Sequence, residues 1–169
     1  MRQKKDKIVA KLLGKYPLLF KQWVKRAEFI EFDDSPWTPL DKDVSLCRLA
    51  LITTGGVHLK SQPPFDMLDG AGDPTFREIP ADAPPSELTI THNYYDRSGA
   101  NKDVNVMFPI ERVLELKQSG EIGDVNHRHF AFMGHIIHHH IDVLMKETAP
   151  RVAAKLKSDR VDIVVLTPA

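Results

Sequence analysis

The chain has 169 residues, and its 23 lysines and arginines balance 23 aspartates and glutamates, so its formal net charge is zero. A neutral chain has no bulk electrostatic attraction to nucleic acid or to anionic membranes, and no apolar run reaches the roughly 18 residues that cross a bilayer. The single cysteine, Cys47, excludes an internal disulfide and fits a reducing compartment. We therefore expect a soluble cytoplasmic protein that binds neither nucleic acid nor membrane.

The first forty residues alternate basic and apolar positions at helical spacing. Residues 4–15 follow this pattern, Pro17 interrupts it, and residues 18–32 resume it. Residues 33–39 form a turn-rich connector. We expect residues 1–40 to be an amphipathic helical segment and residues 41–169 to be an α/β domain.

Three segments have the composition of strands: residues 45–53, residues 87–92 and the β-branched run 161–166. The last of these is typical of a central parallel strand. Helices are predicted at 109–117, from about Gly134 past Leu144, and, after Pro150, up to Lys157. This order predicts a single α/β domain with an open, mostly parallel sheet flanked by helices.

The chain ends just after the last predicted strand, where an α/β enzyme would begin its catalytic loop. We therefore expect a domain that lacks its C-terminal part. A missing final helix would leave an exposed edge, which predicts poor solubility.

Two loops at strand ends contain groups suited to a small polar ligand. Gly55 and Gly56 follow the first strand and are expected to turn the backbone sharply and expose N–H groups. The loop after the second strand is rich in hydrogen-bonding side chains, which give pockets their specificity; the alternative is a solvated turn. These side chains are His92, Tyr94, Tyr95, Asp96, Arg97 and Asn105. The dinucleotide fingerprint and the P-loop are absent, so nucleotide binding is not supported.

Residues 61–86 are interrupted by prolines at positions 63, 64, 74, 80, 84 and 85, so they cannot form a continuous helix or a central strand. Phe65, Met67, Leu68, Phe76 and Ile79 favour a loop folded down on the domain, as a lid or a subunit contact, over a disordered segment.

His135, His138 and His139 are spaced so that they could share one helical face. Imidazoles at such spacing can chelate zinc or nickel. No cysteine cluster and no His-Glu-x-x-His pattern supports a dedicated site, so we predict no metal in this chain.

Several ordered segments between residues 45 and 169 resemble one known family. They are Leu49–Lys60, Gln62–Phe65, Gly72–Pro80, Thr91–His92 with Tyr95–Asp96, Asp103–Arg112, Gly120–Gly123 and His129–Gly134. The chain resembles the selenoprotein B family of glycine, sarcosine and betaine reductases, and in length its D-proline reductase members. The second predicted domain, 41–169, is thus expected to be reductase-like.

The resemblance implies reductive cleavage of a carbon–nitrogen bond in a small amino acid or betaine-type substrate by a selenolate or thiolate. In the family this nucleophile follows a Leu-Thr-Pro-x strand end, so the resemblance places a selenocysteine, or a cysteine, just after Ala169. It also implies partner reductase subunits, one of which carries a pyruvoyl group in D-proline reductase, and no cofactor held by this chain. Because selenocysteine is encoded by a codon otherwise read as stop, we expect a truncation at that codon.

The resemblance and the positions of the loops together assign the candidate site. His58, His92 and Asp96 are the expected catalytic residues, since either histidine could manage a proton on the leaving amine. The expected substrate-binding residues are Thr54, Gly55, Gly56, Tyr95 and Asn105. Cys47 lies in a predicted strand and is expected to be an inert core thiol.

Two other classes of function stay open from the sequence. One is a non-catalytic α/β module for binding or assembly, and the other is a histidine-based metal protein. The substrate, the partner subunits and the oligomeric state are not determined by the sequence.

Overall fold

The computed structural model describes residues 8–9, 12–13, 15–25, 33–34 and 36–169. These residues divide into two compact units, one comprising residues 1–41 with 93–96 and the other comprising residues 42–92 with 97–169. The second unit carries the α/β architecture.

The first unit contains one continuous described helix, α1 (Pro17–Val24). Residues 8, 9, 12, 13 and 15 are also helical, and Tyr16 separates them from α1, as the position of Pro17 predicts. Leu19 and Phe20, on the expected apolar face, each remain 48% exposed. The rest of the predicted helix, residues 26–32, lies outside the described residues.

The second unit contains seven strands and three α-helices among the described residues. The strands are β1 (Arg48–Thr53), β2 (Val57–Leu59), β3 (Arg77–Pro80), β4 (Leu88–Ile90), β5 (Asp124–Val125), β6 (Arg128–Ala131) and β7 (Ile163–Thr167). The helices are α2 (Ile110–Gln118), α3 (His139–Val143) and α4 (Ala149–Ser158), with a π-helical turn, Leu144–Thr148, between the last two. Short 3₁₀ turns occupy Val44–Leu46, Pro85–Glu87 and Val104–Val106.

β1 is the central strand of a five-stranded mixed sheet. It pairs in parallel with β7 from Leu49 to Thr53, and in parallel with β5 and then β6. Leu49 pairs with both β5 and β7, and Ile52 pairs with both β6 and β7, so β5 and β6 share the edge opposite β7. β3 joins β6 antiparallel. The prediction of an open, mostly parallel sheet flanked by helices is therefore confirmed.

β7 corrects one prediction, because among the described residues it pairs only with β1 and is therefore an edge strand, not a central one. Val164, Val165 and Leu166 remain 39%, 37% and 69% exposed, although their composition is that of a buried strand. An apolar, β-branched composition indicates that a strand can be buried. Whether it is buried depends on which elements pack on it.

One cluster of the hydrophobic core lies between the sheet and α4. Val152 and Leu156 of α4 pack with Ala50 of β1 and with Phe130 and Phe132 along the β6 chain. Cys47 is completely buried just before β1, and its thiol contacts the Asp43 carbonyl at 3.3 Å, which confirms the expected core position.

The first predicted strand begins later than expected. The Asp43 carboxylate accepts the Ser45 N–H at 2.8 Å and caps the 3₁₀ turn that precedes β1. The second predicted strand is shorter than expected, and as β4 it pairs antiparallel with β2 in a separate two-stranded sheet.

The proline-rich stretch 61–86 is folded down on the unit, as predicted. Phe65 and Ile79 are 2% and 0% exposed, whereas Leu68 is 81% exposed. The stretch also contributes β3, which tolerates Pro80 because it is an edge strand.

The predicted helix from Gly134 is wrong at its start. Gly134 and His138 have positive φ, of 77° and 54°, so the backbone becomes helical only at His139. His135, His138 and His139 therefore do not share one helical face.

No helix in the part of the chain that the structure describes combines the length and the apolar composition needed to cross a bilayer.

The His129 side chain accepts a backbone hydrogen bond at a gap in the main sheet. β5 and β6 are separated by two residues, Asn126 and His127, and opposite this gap the Leu51 N–H donates to Nδ1 of His129 at 3.0 Å. Because Nδ1 accepts this bond, the ring is neutral with its proton on Nε2. The ring is fully buried against Phe108, and burial, followed by the nearby His127, lowers the pKa of His129 to about 4.

We expect this histidine to make folding stability depend on pH. In the unfolded chain His129 titrates near 6.5, so below that pH the unfolded state binds a proton that the folded state refuses. Above pH 6.5 this group does not reduce the free energy of unfolding. Between pH 6.5 and pH 4 it lowers the free energy of unfolding by roughly 3 kcal/mol. Urea unfolding at several pH values between 7 and 4 measures the slope.

His129→Gln should make that slope shallower without abolishing it, because the glutamine oxygen can accept the Leu51 N–H but does not titrate, whereas a second buried histidine, His92, keeps its pKa of about 4. The matched control is His138→Asn, at an exposed histidine that does not contribute to the lowered pKa of His129, and it should leave the slope nearly unchanged. An identical slope in the wild type and in His129→Gln would contradict this account.

Candidate functional site

The carboxyl ends of β1, β6 and β7 meet at one edge of the sheet, because the three strands are parallel. Ligands in open α/β sheets bind at such an edge. We call this place the strand-end site and define it by Thr54–Gly56, Met133–His135, Thr167–Ala169 and His92.

Hydrogen bonds close the loop after β1 onto its neighbours. The Thr54 N–H donates to the Thr167 carbonyl at 3.0 Å, and the Gly56 N–H donates to the Phe132 carbonyl at 2.8 Å. The Gly55 N–H donates to Oγ1 of Thr53 at 3.0 Å. All three N–H groups of the loop thus have acceptors within the protein. The expectation that the two glycines expose N–H groups is wrong, and the loop is not an anion-binding nest.

The end of β7 is fixed by two threonines. The Thr167 hydroxyl donates to the Met107 carbonyl at 2.8 Å, and the Ala169 N–H donates to Oγ1 of Thr54 at 3.0 Å. The second bond holds the Ala169 backbone beside the Thr54 side chain.

Two glycines with positive φ form the wall of the site. Gly56 has φ of 71°, and a Cβ there would lie 2.4 Å from the Thr91 carbonyl oxygen. Gly134 has φ of 77°, and a Cβ there would lie 2.7 Å from the Thr54 carbonyl oxygen and 3.4 Å from Nε2 of His92. Only glycine allows these segments to approach so closely.

His92 is the titratable group at the centre of this wall. It is 5% exposed, and its pKa is lowered to about 4, first by burial and then by the charges of His135 and Arg97. A hydrogen bond with the Met133 backbone opposes this shift. His92 is consequently a neutral imidazole at pH 7, with one ring nitrogen that donates a hydrogen bond and one that accepts.

His58 is buried in β2, and both of its nitrogens are engaged. Nδ1 donates to the Leu59 carbonyl at 2.8 Å, which leaves Nε2 to accept the Thr91 hydroxyl at 2.8 Å. Phe65 covers the ring edge to face. This arrangement suits a structural role better than proton transfer, although the catalytic assignment of His58 stays a prediction.

The structure places Asn105 in a different groove of about 320 Å³, with Thr89, Lys102 and Glu111 among its lining residues. The Asn105 side chain bonds to Asp103 and Glu111, and none of its hydrogen bonds reaches the loop after β1. Its substrate-binding role stays a prediction.

Tyr95 and Asp96 belong to the other compact unit, with residues 1–41. Both take part in interactions, so neither is free. Their expected roles also stay predictions.

The sequence did not single out Gly134 or Thr167 as site residues. Each ends a strand-like apolar run, His129–Met133 and Ile163–Leu166, and that position was the available signal. The sequence could not predict that Gly134 and Thr167 both contact the loop after β1, because this depends on β6 and β7 pairing with opposite edges of β1.

We expect Gly134→Ala to be much more destabilising than Gly120→Ala. Both glycines have similar positive φ, 77° and 76°, so both variants carry the same backbone cost of about 1–2 kcal/mol. A Cβ on Gly120 meets nothing within 4 Å, whereas one on Gly134 collides with the Thr54 backbone. Urea unfolding of both variants isolates the collision, and equal losses would show that the approach of Gly134 to Thr54 is not tight.

Comparison with known proteins assigns the chain to a family. A family model described as glycine/sarcosine/betaine reductase selenoprotein B matches residues 6–169. The chain is 37% identical to the D-proline reductase subunit gamma of Acetoanaerobium sticklandii over 131 residues, covering 78% of this chain and 52% of the relative. It is 26% identical to the glycine reductase complex component B subunit gamma of Carboxydothermus hydrogenoformans over 169 residues, covering 96% of this chain and 36% of the relative.

A third relative, the sarcosine reductase complex component B subunit beta of Peptoclostridium acidaminophilum, is 28% identical over 98 residues, covering 56% of this chain and 22% of the relative. The chain thus spans about half the length, or less, of the curated relatives that it matches. No solved structure matches it. The match to the family model over nearly the whole chain shows that this protein belongs to the selenoprotein B family of glycine, sarcosine and betaine reductases.

Proposed function

We propose that the chain forms part of a reductase subunit that cleaves a carbon–nitrogen bond of a small amino acid or betaine-type substrate. Family membership and relatives named as subunits of D-proline, glycine and sarcosine reductases support the reaction class. The observation that carries the proposal is the strand-end site, where Ala169 bonds to Thr54 close to the wall that contains His92.

The nucleophile in this proposal follows Ala169, the position that the family resemblance assigns to it. A selenolate or thiolate there would bond to the substrate carbon as the carbon–nitrogen bond breaks and the amine leaves. One thiol of a dithiol would then attack that selenium or sulfur and release the carbon, which takes up a proton, and the second thiol would free the nucleophile as the dithiol becomes a disulfide. Cys47 is unsuited to this role, because it is completely buried and lies before the amino end of β1. For a D-proline reductase-like enzyme, a pyruvoyl group on a partner subunit would activate the substrate amine.

The role of His92 in this proposal depends on the nucleophile. With a pKa of about 4 the ring is almost entirely neutral at pH 7, so alone it is a poor proton donor. An anion within about 4–6 Å would favour the imidazolium and raise this pKa toward neutrality. His92 would then hold a proton for the leaving amine only while the anionic nucleophile is present.

The first test is to read the codon after Ala169 and the frame that follows it. The proposal expects UGA followed by in-frame codons, and mass spectrometry of the expressed full product should then show one selenium atom at position 170. An in-frame cysteine codon would support the thiolate version. An ordinary stop with no coding sequence downstream would contradict the enzyme proposal.

The second test uses the complete enzyme with its partner subunits and measures amine or ammonia release from D-proline, glycine, sarcosine and betaine. His92→Ala should reduce turnover by on the order of 10² to 10⁴ if His92 supplies the proton. His127→Ala, at an exposed histidine outside the site, is the matched control. An unchanged rate in His92→Ala would remove His92 from the mechanism.

A second candidate function is non-catalytic assembly, and the open edge of β7 favours it. Its exposed side chains, Leu166 above all, and its outer backbone edge, which pairs with no other strand of the described residues, suit an interface more than a free surface. An ordinary stop codon after Ala169 would make this function the better conclusion.

A further inference from the structure

A second group of polar residues lies where the proline-rich stretch touches the chain that follows β6. We call Asp66–Gly72 the aspartate loop and His135–His140 the histidine segment. The two are joined by backbone bonds: Ile137 N–H donates to the Ala71 carbonyl at 2.9 Å, and Gly72 bridges Ile136. A Cβ on Gly72 would lie 1.5 Å from the His135 carbonyl oxygen, so glycine is required for this contact.

Side chains reinforce the same contact. The Nε2 atom of His135 lies 3.2 Å from the Gly70 carbonyl oxygen, and Nε2 of His140 lies 2.9 Å from Oδ2 of Asp69. The rings of His139 and His140 are adjacent, tilted by 45° to one another with their centroids 4.1 Å apart. As a result, Asp69, His139 and His140 each offer one ligand atom, and these three atoms lie within 4.8 Å of one another.

We propose that Asp69, His139 and His140 bind a divalent transition-metal ion of the zinc class. Two imidazoles and one carboxylate are ligands that zinc prefers, at about 2.0–2.2 Å. Tetrahedral geometry at those lengths separates neighbouring ligand atoms by about 3.4 Å, so the three atoms need only small side-chain rotations. Three protein ligands leave at least one position for water, as in an open zinc site. This proposal is independent of the reductase function.

The site is organised before any metal arrives. The Asp69 carboxylate accepts the Ala71 N–H through Oδ1 at 2.8 Å, which leaves Oδ2 directed at His140. Bound metal would join the aspartate loop to the histidine segment and stabilise the folded chain.

One feature sets the expected strength of binding. Nδ1 of His140 is buried and has no hydrogen-bond partner among the described residues, yet coordination through Nε2 requires the ring proton on Nδ1. Metal-binding histidines normally donate that proton to a partner, and loss of such a partner weakens affinity about 10–100-fold. We therefore expect micromolar affinity, weaker than that of a fully supported zinc site.

The test uses a protein of residues 1–169, purified without a histidine tag, treated with a chelator and titrated with Zn²⁺ against a chromophoric indicator. We expect one Zn²⁺ per chain with a dissociation constant in the micromolar range. Asp69→Asn keeps an oxygen for the Ala71 N–H but removes the charge, and it should weaken binding at least about tenfold, as should His140→Ala.

The matched control is His138→Asn, which removes the neighbouring histidine and uses a residue that tolerates its positive φ of 54°. This control should bind Zn²⁺ as the wild type does. In a parallel melt, saturating Zn²⁺ should raise the Tm of the wild type and of His138→Asn but not that of Asp69→Asn.

Equal binding by Asp69→Asn and the wild type would overturn the proposal, since a surface histidine tract would then suffice. Loss of binding in His138→Asn as large as in His140→Ala would overturn it in the same way. Melting curves recorded without metal establish that each variant is folded, so a loss of affinity can be attributed to the ligands.

Discussion

The parallel pairing of β1 with β7 joins two segments that are far apart in the chain, with Leu49 opposite Ile163 and Thr53 opposite Thr167. Closing so long a loop costs conformational entropy, which the five paired positions and the core beneath them must offset. The strand-end site depends on this pairing, because it brings Ala169 to the Thr54 hydroxyl. The same pairing makes β7 the edge strand and leaves its apolar side chains exposed.

The segment after β6 connects the strand-end site with the proposed metal site. At its start, Gly134 approaches Thr54 and His92; at its end, His139 and His140 approach Asp69. Positive φ at Gly134 and His138 keeps these residues out of a helix until His139, so one irregular stretch can face the β1 loop and the aspartate loop in turn. Its conformation is maintained by backbone bonds to both loops and not by its own helical bonds.

Particular residues show how far sequence reasoning reaches. Thr54, Gly55, Gly56 and His92 were identified from strand ends and resemblance, and they do meet at one edge of the sheet. The glycines were expected to supply free N–H donors, but Phe132 and the Thr53 hydroxyl accept those bonds. Asn105 was grouped with them because it follows the same strand in sequence, whereas a 3₁₀ turn carries it into another groove. The histidines were grouped by helical spacing, which fails because the helix begins only at His139.

By itself, the sequence determined the α/β class, the order of most elements, the buried cysteine and the family, since these follow from periodicity, composition and ordered motifs. Tertiary structure alone decided which residues meet. Because β7 and β6 pair with opposite edges of β1, Thr167 and Gly134 reach the same loop. A backbone bridge between Gly72 and Ile136 brings Asp69 to His140. The physical reason is that local preferences act over a few residues, whereas these contacts are fixed by strand register and by close backbone approaches between segments distant in the chain.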